Sequence, residues 1–197
     1  MKNSKIKKLT TCAVMLALAF VLSFVKIYEF PFGGSITLLS MLPICLVSVK
    51  YGLGWGMSTA FCYSLLQLFM DIGKAMSWGL TPKAWVGMIA FDYLIAFSVL
   101  GMAGIFRKQG RVGQCLGIAL AIVLRFISSV LSGAIVWESV GEIFGWNITN
   151  TWIYSLVYNG AYMLPELIIT LTAVIIMTSI SSFSRREMRF SVNSAIA

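Results

Sequence analysis

Three ionisable residues lie inside long apolar stretches of the sequence: Asp92, Arg125 and Glu166. A charged side chain inside a lipid bilayer is costly, so such residues usually face a cavity or a partner and mark a functional site. A carboxylate accepts hydrogen bonds from amino groups and attracts cations. The three residues are therefore the first candidates for ligand binding, although Glu166 also fits a purely structural pair with Arg125.

One apolar stretch places basic, polar, small and aromatic residues on a single helix face. Arg125, Ser129, Gly133 and Trp137 recur at every fourth residue, which puts them on one side of an α-helix. The glycine one turn before the tryptophan is expected to leave room under the indole ring for a flat ligand. A helix-packing face that ends in an interfacial tryptophan would give the same pattern, so the spacing alone leaves both interpretations open.

Aromatic and polar residues at the start of the last apolar stretch are expected at the depth of Asp92 and Trp137. They are Tyr154, Tyr158, Asn159 and Tyr162. Three stretches that each bring such a group to one layer favour a pocket. A carboxylate among aromatic rings suits a flat, cationic, nitrogen-rich ligand. Tyr154 and Asn159 lie about 140° apart on a regular helix, so both reach one ligand only by flanking it or if the helix starts irregularly.

The elements that position these residues follow from composition. Of the 197 residues, 59% are hydrophobic and 11% are charged, which no soluble domain of this size can bury. The chain is therefore predicted to be an all-α integral membrane protein, with residues 1–197 forming one membrane domain of six transmembrane helices. The apolar runs cover residues 9–25, 36–49, 53–70, 85–106, 112–136 and 152–180. Pro43, near the middle of the short second run, predicts a kink or tilt there.

The distribution of basic residues predicts the orientation in the membrane. Cytoplasmic loops collect lysine and arginine, and six spans with an internal N-terminus place most of the 15 basic residues on that side. They are Lys2, Lys5, Lys7, Lys8, Lys50, Arg107, Lys108, Arg111, Arg185, Arg186 and Arg189. Both termini are therefore predicted to be cytoplasmic. The net charge of +8 does not indicate nucleic-acid binding, because the basic residues form short clusters between apolar runs.

The sequence offers little for catalysis or metal binding. It contains no histidine, and its four cysteines lie in apolar runs without a CxxC pair. No lysine lies within the membrane to activate a serine, and no acidic pair has metal-binding spacing. We therefore expect no cofactor, no metal and no enzymatic activity. A nucleotide-binding loop is also absent, so ATP hydrolysis would require separate subunits.

Four stretches of sequence indicate a family. They are GGSITLLSMLPI at 33–44, the Asp92–Tyr93 pair followed by GMAGIFRK at 101–108, LRFISSVLSG at 124–133, and YSLVYNGAYMLPELIIT at 154–170. Over nearly its whole length the chain resembles the thiamine-specific substrate-binding S components of energy-coupling factor (ECF) transporters. The resemblance implies six helices with both termini inside. It also implies high-affinity thiamine binding in the outer half of the bundle, for ATP-driven uptake across the bacterial cell membrane.

Carried over position by position, the resemblance implies roles for four of these residues. Asp92 and Tyr93 match the family's acidic–tyrosine pair, in which the carboxylate reads the aminopyrimidine ring. Arg125 matches the family's basic position, and Trp137 is placed against the thiazolium ring. Some members have glutamate where this chain has Asp92, so the shorter side chain implies a slightly shifted ligand or a bridging water.

The resemblance also implies that Tyr154 and Asn159 are the ligand-binding pair of the sixth helix. Two positions depart from the family pattern. Some members have histidine in place of Ser129 and tryptophan in the first loop in place of Gly34. These departures leave a thiamine precursor or another heterocyclic vitamin as alternative ligands. A nearby tryptophan, Trp78 or Trp85, is a candidate to cover the site instead.

The resemblance further implies a scaffold membrane subunit and two ATPase subunits as partners. The small residues Ala13 and Ala17 on the first helix are expected to dock on the scaffold, because small residues let membrane helices approach closely. A different class of function stays possible, a stand-alone secondary transporter in which Glu166 and Arg125 relay protons. The sequence shows no internal repeat of the kind common in such transporters. An intramembrane enzyme is the least favoured alternative.

Overall fold

The computed structural model describes the backbone of residues 2–30 and 33–196, and the side chains of residues 5–30 and 33–180. The chain is mostly helical, in agreement with the predicted fold class. Among the described residues, four helices are long and apolar enough to cross a membrane: Lys5–Phe24, Pro82–Gly104, Gly110–Ile135 and Thr151–Ile180. The count of six spans and the location of both termini stay predictions. Among the basic residues used to predict orientation, Lys2, Arg185, Arg186 and Arg189 lie outside the described side chains.

The first half of the chain contains three helices and a hairpin. Helix α1 (Lys2–Phe24) is followed by an antiparallel hairpin of β1 (Lys26–Glu29) and β2 (Ser35–Thr37), then by α2 (Leu42–Tyr51) and α3 (Leu53–Met76). The register pairs Lys26 with Thr37 and Glu29 with Ser35. The hairpin therefore connects α1 to α2 along the chain.

The second half contains three long helices and another hairpin. Helix α4 (Pro82–Gly104) includes a π-helical segment, Met88–Ile95, and ends in a 3-10 segment, Val99–Gly104. Helix α5 (Gly110–Leu131) continues into a π-helical turn, Ser132–Val136. The hairpin of β3 (Gly141–Ile143) and β4 (Trp146–Ile148) leads to α6 (Thr151–Ile196). The π-helical segments of α4 and α5 both lie where candidate ligand-binding residues were predicted.

The predicted second span, 36–49, differs from the expectation. Residues Ser35–Thr37 form a strand, and the helix that follows has only ten residues. Pro43 lies in the first turn of α2 rather than in the middle of a helix. Proline is tolerated there because its missing N–H would have no partner within the helix. The predicted kink is therefore wrong.

Small residues pack α2, α3, α4 and α5 closely at one end of the bundle. Ser48 donates a hydrogen bond to the carbonyl of Gly101 and accepts one from the N–H of Gly104. A Cβ atom on Gly56 would collide with Ser48, and one on Gly117 would collide with the backbone of Ala103. At this end the helices are held together without room for larger side chains.

Around the candidate site the helices do not all pack against one another, in contrast to the closely packed end of the bundle. Helix α3 packs against α2 and α4, whereas α6 packs against α5 and the π-helical turn that follows it. A gap therefore remains between α3 and α6, and the β1–β2 hairpin lies over it.

Candidate functional site

A cavity of about 480 Å³ lies between the β1–β2 hairpin and helices α3 to α6. Small-molecule sites have volumes of about 300 to 1,000 Å³. All nine residues that the sequence analysis assigned to ligand binding line it: Gly34, Asp92, Tyr93, Arg125, Ser129, Gly133, Trp137, Tyr154 and Asn159. The structure thus brings these residues together, and their contacts with a ligand stay a prediction.

Asp92 is held at the cavity wall by two hydrogen bonds to one of its oxygens. The Trp137 indole N–H donates to Oδ2 over 2.9 Å, and the Ser132 hydroxyl donates to the same atom over 2.7 Å. Within the part of the chain that the structure describes, the other oxygen, Oδ1, has no hydrogen-bond partner. One half of the carboxylate is therefore fixed by the protein and the other half is available to a ligand.

The π-helical segments explain how these groups converge. Asp92 lies within the π-helical part of α4, and the backbone N–H of Trp137 donates to the carbonyl of Ser132, five residues earlier. The wider turn brings both Ser132 and Trp137 to Asp92, although they would lie about 140° apart on a regular helix. Segments of this kind are frequent at functional sites. The four-residue spacing found in the sequence therefore missed Ser132.

Gly133 lines the cavity, but the predicted space beside it is filled. A Cβ atom at this position would collide with the Ser155 hydroxyl and would lie 3.6 Å from Asn159 Nδ2. The glycine thus allows α5 and α6 to approach closely, and the expectation that it leaves room under the indole is wrong. The packing interpretation of the stripe holds for Gly133, while Asp92 anchors Trp137 in the cavity.

Asn159 and Tyr154 line the same cavity, although only one of them is tightly held. Asn159 Nδ2 donates to the Ser155 carbonyl over 2.9 Å and to the Ser129 carbonyl over 3.3 Å, while Oδ1 accepts from Tyr162 over 2.5 Å. Asn159 therefore ties α6 to α5 and fixes Tyr162. Tyr154 instead stacks on Tyr158, with ring centroids 6.2 Å apart.

Gly34 lets the β1–β2 hairpin lie directly on two tyrosines of α6. Its N–H donates to the Tyr158 hydroxyl over 3.4 Å, and an added Cβ atom would lie only 2.9 Å from the Tyr162 ring. Of the two tryptophans considered as a cover, Trp78 lines the cavity and meets Trp137 edge to face at 5.7 Å. Trp85 packs against the hydrophobic core and does not line the cavity.

Arg125 and Glu166 are not paired with each other. The Arg125 guanidinium lies 4.1 Å from the centre of the Phe97 ring, a cation–π contact. Glu166 Oε1 accepts hydrogen bonds from the backbone N–H and the hydroxyl of Thr37, at 2.5 and 2.6 Å. No ion pair joins the two among the described side chains. The expected structural pair is therefore wrong, and Thr37 takes the place of Arg125.

Two more carboxylates line the cavity and were missed from the sequence. Asp71 on α3 accepts a hydrogen bond from the Tyr93 hydroxyl over 3.1 Å. Glu29 on β1 forms ion pairs with Lys74 at 2.8 Å and Lys26 at 2.9 Å. The hydrogen bond from Lys74, with that from Lys26, lowers the pKa of Glu29 below its ordinary value. Glu29 thus links the hairpin to the end of α3.

The sequence matches the family described as Thiamine transporter protein (Thia_YuaJ) over residues 9–184. Among curated relatives, Thiamine transporter ThiT of Bacillus subtilis is 29% identical over 182 residues, which cover 85% of this chain and 88% of the relative. ThiT of Lacticaseibacillus paracasei is 22% identical over 153 residues, or 72% of each chain.

Two solved structures have the same fold. ThiT from Listeria monocytogenes superposes with a TM-score of 0.67 at 22% identity, covering 91% of this chain and 97% of that one. The S component of a bacterial ECF transporter superposes with a TM-score of 0.60 at 20% identity, covering 94% and 98%. Because the family match extends over most of the sequence, this protein belongs to the family of thiamine transporter proteins.

Proposed function

We propose that this protein binds thiamine with high affinity and is the substrate-binding S component of an ATP-driven vitamin uptake transporter. The observation that carries the proposal is the Asp92 carboxylate, which Trp137 and Ser132 hold at the wall of an aromatic cavity. Thiamine combines an aminopyrimidine with a cationic thiazolium ring, so a carboxylate and aromatic faces match its chemistry. The family match supports the same ligand.

The charges around the cavity also suit a ligand with one positive charge. Four acidic and three basic residues line it: Glu29, Asp71, Asp92, Glu166, Lys26, Lys74 and Arg125. With every group ionised, the lining has one net negative charge. A monocation neutralises it, whereas an anion would add charge inside a region of low dielectric constant, where repulsion is strong.

In our proposal the ligand lies across the part of the cavity that is lined by Asp92, Trp137 and Tyr154, which we call the Asp92 layer. Asp92 Oδ1 accepts from the exocyclic amine of the pyrimidine, and the thiazolium ring lies against Trp137. Tyr154 and Tyr158 form a second aromatic wall through their stacked rings. Tyr93 and Arg125 act at the side of the ligand, because their polar ends already contact Asp71 and Phe97.

In the membrane we propose six spans with both termini in the cytoplasm. Helices α2 and α3 are the two that add to the four apolar helices. Helix α2 is short and has six of its ten residues buried, and α3 turns Tyr63 and Gln67 inward while it presents Phe61, Leu65 and Phe69 outward. Polar residues that face a cavity lower the mean hydropathy of a helix without exposing it to lipid. We place the chain in the bacterial plasma membrane.

The scaffold membrane subunit docks on α1 in this proposal. Ala13 and Ala17 are exposed on its outer surface, beside the exposed side chains of Val14, Leu18 and Val21. A scaffold membrane subunit covers this face, since small residues permit close helix contact. Two separate ATPase subunits hydrolyse ATP, and this chain itself is a transport subunit without enzymatic activity.

Titration of thiamine into the purified, detergent-solubilised protein tests the proposal, with tryptophan fluorescence as the signal. We expect saturable quenching at submicromolar thiamine and a strong loss of affinity in Asp92→Asn. Glu138→Gln, which alters an exposed carboxylate outside the cavity, is the control and should bind as the wild type does. No response at millimolar thiamine, with folded protein confirmed by calorimetry, would contradict the proposal.

A thiamine precursor is the second candidate ligand. Gly34 leaves no large side chain where some family members have tryptophan, and its contacts are with Tyr158 and Tyr162. Competition between thiamine and its free aminopyrimidine separates the two ligands, because only thiamine has the thiazolium ring that contacts Trp137. Stronger binding of the free pyrimidine would reverse the assignment.

The proton-coupled alternative has less support. Glu166 is held by Thr37, and Arg125 lies over Phe97, so the two do not form a relay in the described structure. Uptake by this chain alone in vesicles, driven by a proton gradient without ATPase subunits, would favour that alternative.

A further inference from the structure

The cavity extends past the Asp92 layer into an inner chamber, defined by Ser40, Tyr63, Gln67 and Glu166. Glu166 lies seven residues beyond Asn159, or about 10 Å further along α6 at 1.5 Å per residue. The chamber occupies the gap between α3 and α6, which pack against other helices rather than against each other. It is therefore a polar space at membrane depth that the Asp92 layer does not account for.

Three polar groups that line the inner chamber are buried and have no hydrogen-bond partner among the residues that the structure describes. They are Glu166 Oε2, Gln67 Nε2 and the Tyr63 hydroxyl. The residues are 3%, 9% and 0% exposed, respectively. Buried polar groups in proteins are nearly always paired, by protein, water or ligand. Three such groups on one cavity therefore point to a missing partner.

The carboxylate of Glu166 is positioned in advance. The N–H and hydroxyl of Thr37 both donate to Oε1, and the Thr37 hydroxyl is in turn 2.6 Å from the Ser40 hydroxyl. The Thr37 hydroxyl donates its hydrogen to Glu166 Oε1. In the contact between the two hydroxyl groups, Ser40 is therefore the donor and the Thr37 oxygen is the acceptor. This chain of bonds holds Glu166 still, with Oε2 as the remaining acceptor.

We infer that the inner chamber is a second polar subsite, which binds a neutral hydroxyl group. A hydroxyl donates one hydrogen bond and accepts others, so it donates to Glu166 Oε2 and accepts from Gln67 Nε2 and the Tyr63 hydroxyl. The group is either the alcohol at the end of the ligand or a bound water. The first source rests on the proposed function, because thiamine has one alcohol, on its hydroxyethyl tail.

The test compares thiamine with the analogue that has an ethyl group in place of the hydroxyethyl group. Calorimetry is done on the wild type, Gln67→Met and Tyr63→Phe, variants that remove a polar group at nearly constant size. If the ligand supplies the hydroxyl, the analogue binds the wild type about 10-fold to 100-fold more weakly than thiamine does. In Gln67→Met and Tyr63→Phe, the ratio of the dissociation constant of the analogue to that of thiamine falls toward one. Tyr51→Phe, which alters a tyrosine outside the cavity, should keep the full ratio.

If water supplies the hydroxyl, the two ligands bind the wild type equally, and the ligand-free protein provides the readout. Gln67→Met and Tyr63→Phe then lower the melting temperature, because each removes a partner of the bound water. In an empty chamber the same variants raise it, because each removes an unpaired buried polar group. Equal ligand affinities together with raised melting temperatures would overturn the inference. Failure of the wild type to bind thiamine contradicts the proposed function instead, and the melting temperatures still decide whether the chamber holds water.

Discussion

The indole N–H of Trp137 donates a 2.9 Å hydrogen bond to Oδ2 of Asp92, across 45 residues of sequence. The two side chains that were expected to bind different rings of the ligand are therefore joined to each other by a direct hydrogen bond. Trp137 has two functions in this arrangement, as an aromatic face and as the donor that orients the carboxylate. Replacing it should accordingly affect both parts of the site.

The double role of Trp137 can be separated with two substitutions. Trp137→Phe keeps an aromatic face and removes the N–H, and we expect thiamine binding to weaken about 10-fold, the effect of one hydrogen bond to a charged group. Trp137→Ala also removes the ring and should weaken binding at least 100-fold. Trp152→Phe, at an exposed position outside the cavity, is the control. Isothermal titration calorimetry measures all three, and equal losses in Trp137→Phe and Trp137→Ala would exclude a role for the ring itself.

The charge of Asp92 should matter more than its shape. Asp92→Asn retains the size and one oxygen acceptor but removes the negative charge that a cationic ligand requires, so we expect at least a 100-fold loss of affinity. Asp92→Glu retains the charge on a longer side chain, so its loss of thiamine affinity should be smaller than that of Asp92→Asn. Isothermal titration calorimetry measures the affinities, and thermal unfolding in detergent checks that each variant stays folded. Equal affinity in Asp92→Asn and the wild type would remove this residue from the site.

Gly133 should be required for helix packing rather than for ligand contact. Gly133→Ala places a methyl group against Ser155, so we expect a loss of about 1–3 kcal/mol of stability from overpacking. Gly160→Ala, on the neighbouring helix with nothing within 4 Å of the added atom, is the matched control and should be neutral or stabilising. Thermal unfolding in detergent compares the two. A Gly133→Ala protein as stable as Gly160→Ala would show that α5 and α6 are not closely packed there.

The ion pairs of Glu29 predict a specific dependence on pH. Because the folded state lowers the pKa of Glu29, the pairs contribute stability above the ordinary pKa of 4.5 and lose it as the pH falls through the lower folded value. The side chain is 42% exposed, so solvent screening limits the contribution to about 0.5 kcal/mol. Glu29→Gln should therefore be less stable than the wild type at pH 7, with a difference that shrinks below about pH 4.

The control for this pH dependence is a more exposed ion pair. Lys83 Nζ and Glu138 Oε1 lie 3.6 Å apart, and the two side chains are 74% and 67% exposed. Glu138→Gln should therefore change the melting temperature very little at pH 7 or at pH 3. A constant difference between Glu29→Gln and the wild type from pH 7 to pH 3 would contradict the assigned ion pairs.

Several features of the site could be predicted because they depend on local patterns. Residues four apart share a helix face, so Arg125, Ser129 and Trp137 were expected on one side of a single helix, and all three line the cavity. Charged residues in apolar runs identified Asp92 and Glu166 as groups that need a partner. Ser132 was missed because a π-helical turn changes the spacing of residues on the helix face. The residue types of Ser132–Val136 do not indicate that turn.

By itself, the sequence determined the class of protein and the groups available for binding. Apolar runs require lipid as solvent, and the absence of histidine leaves few routes to catalysis. Only the tertiary structure decided how the groups are used. Glu166 meets Thr37, 129 residues away, rather than Arg125, and the space beside the Gly133 Cα atom is filled by Ser155. Such choices depend on the distances between helices, which are set by packing over the whole bundle and are not encoded in any one segment.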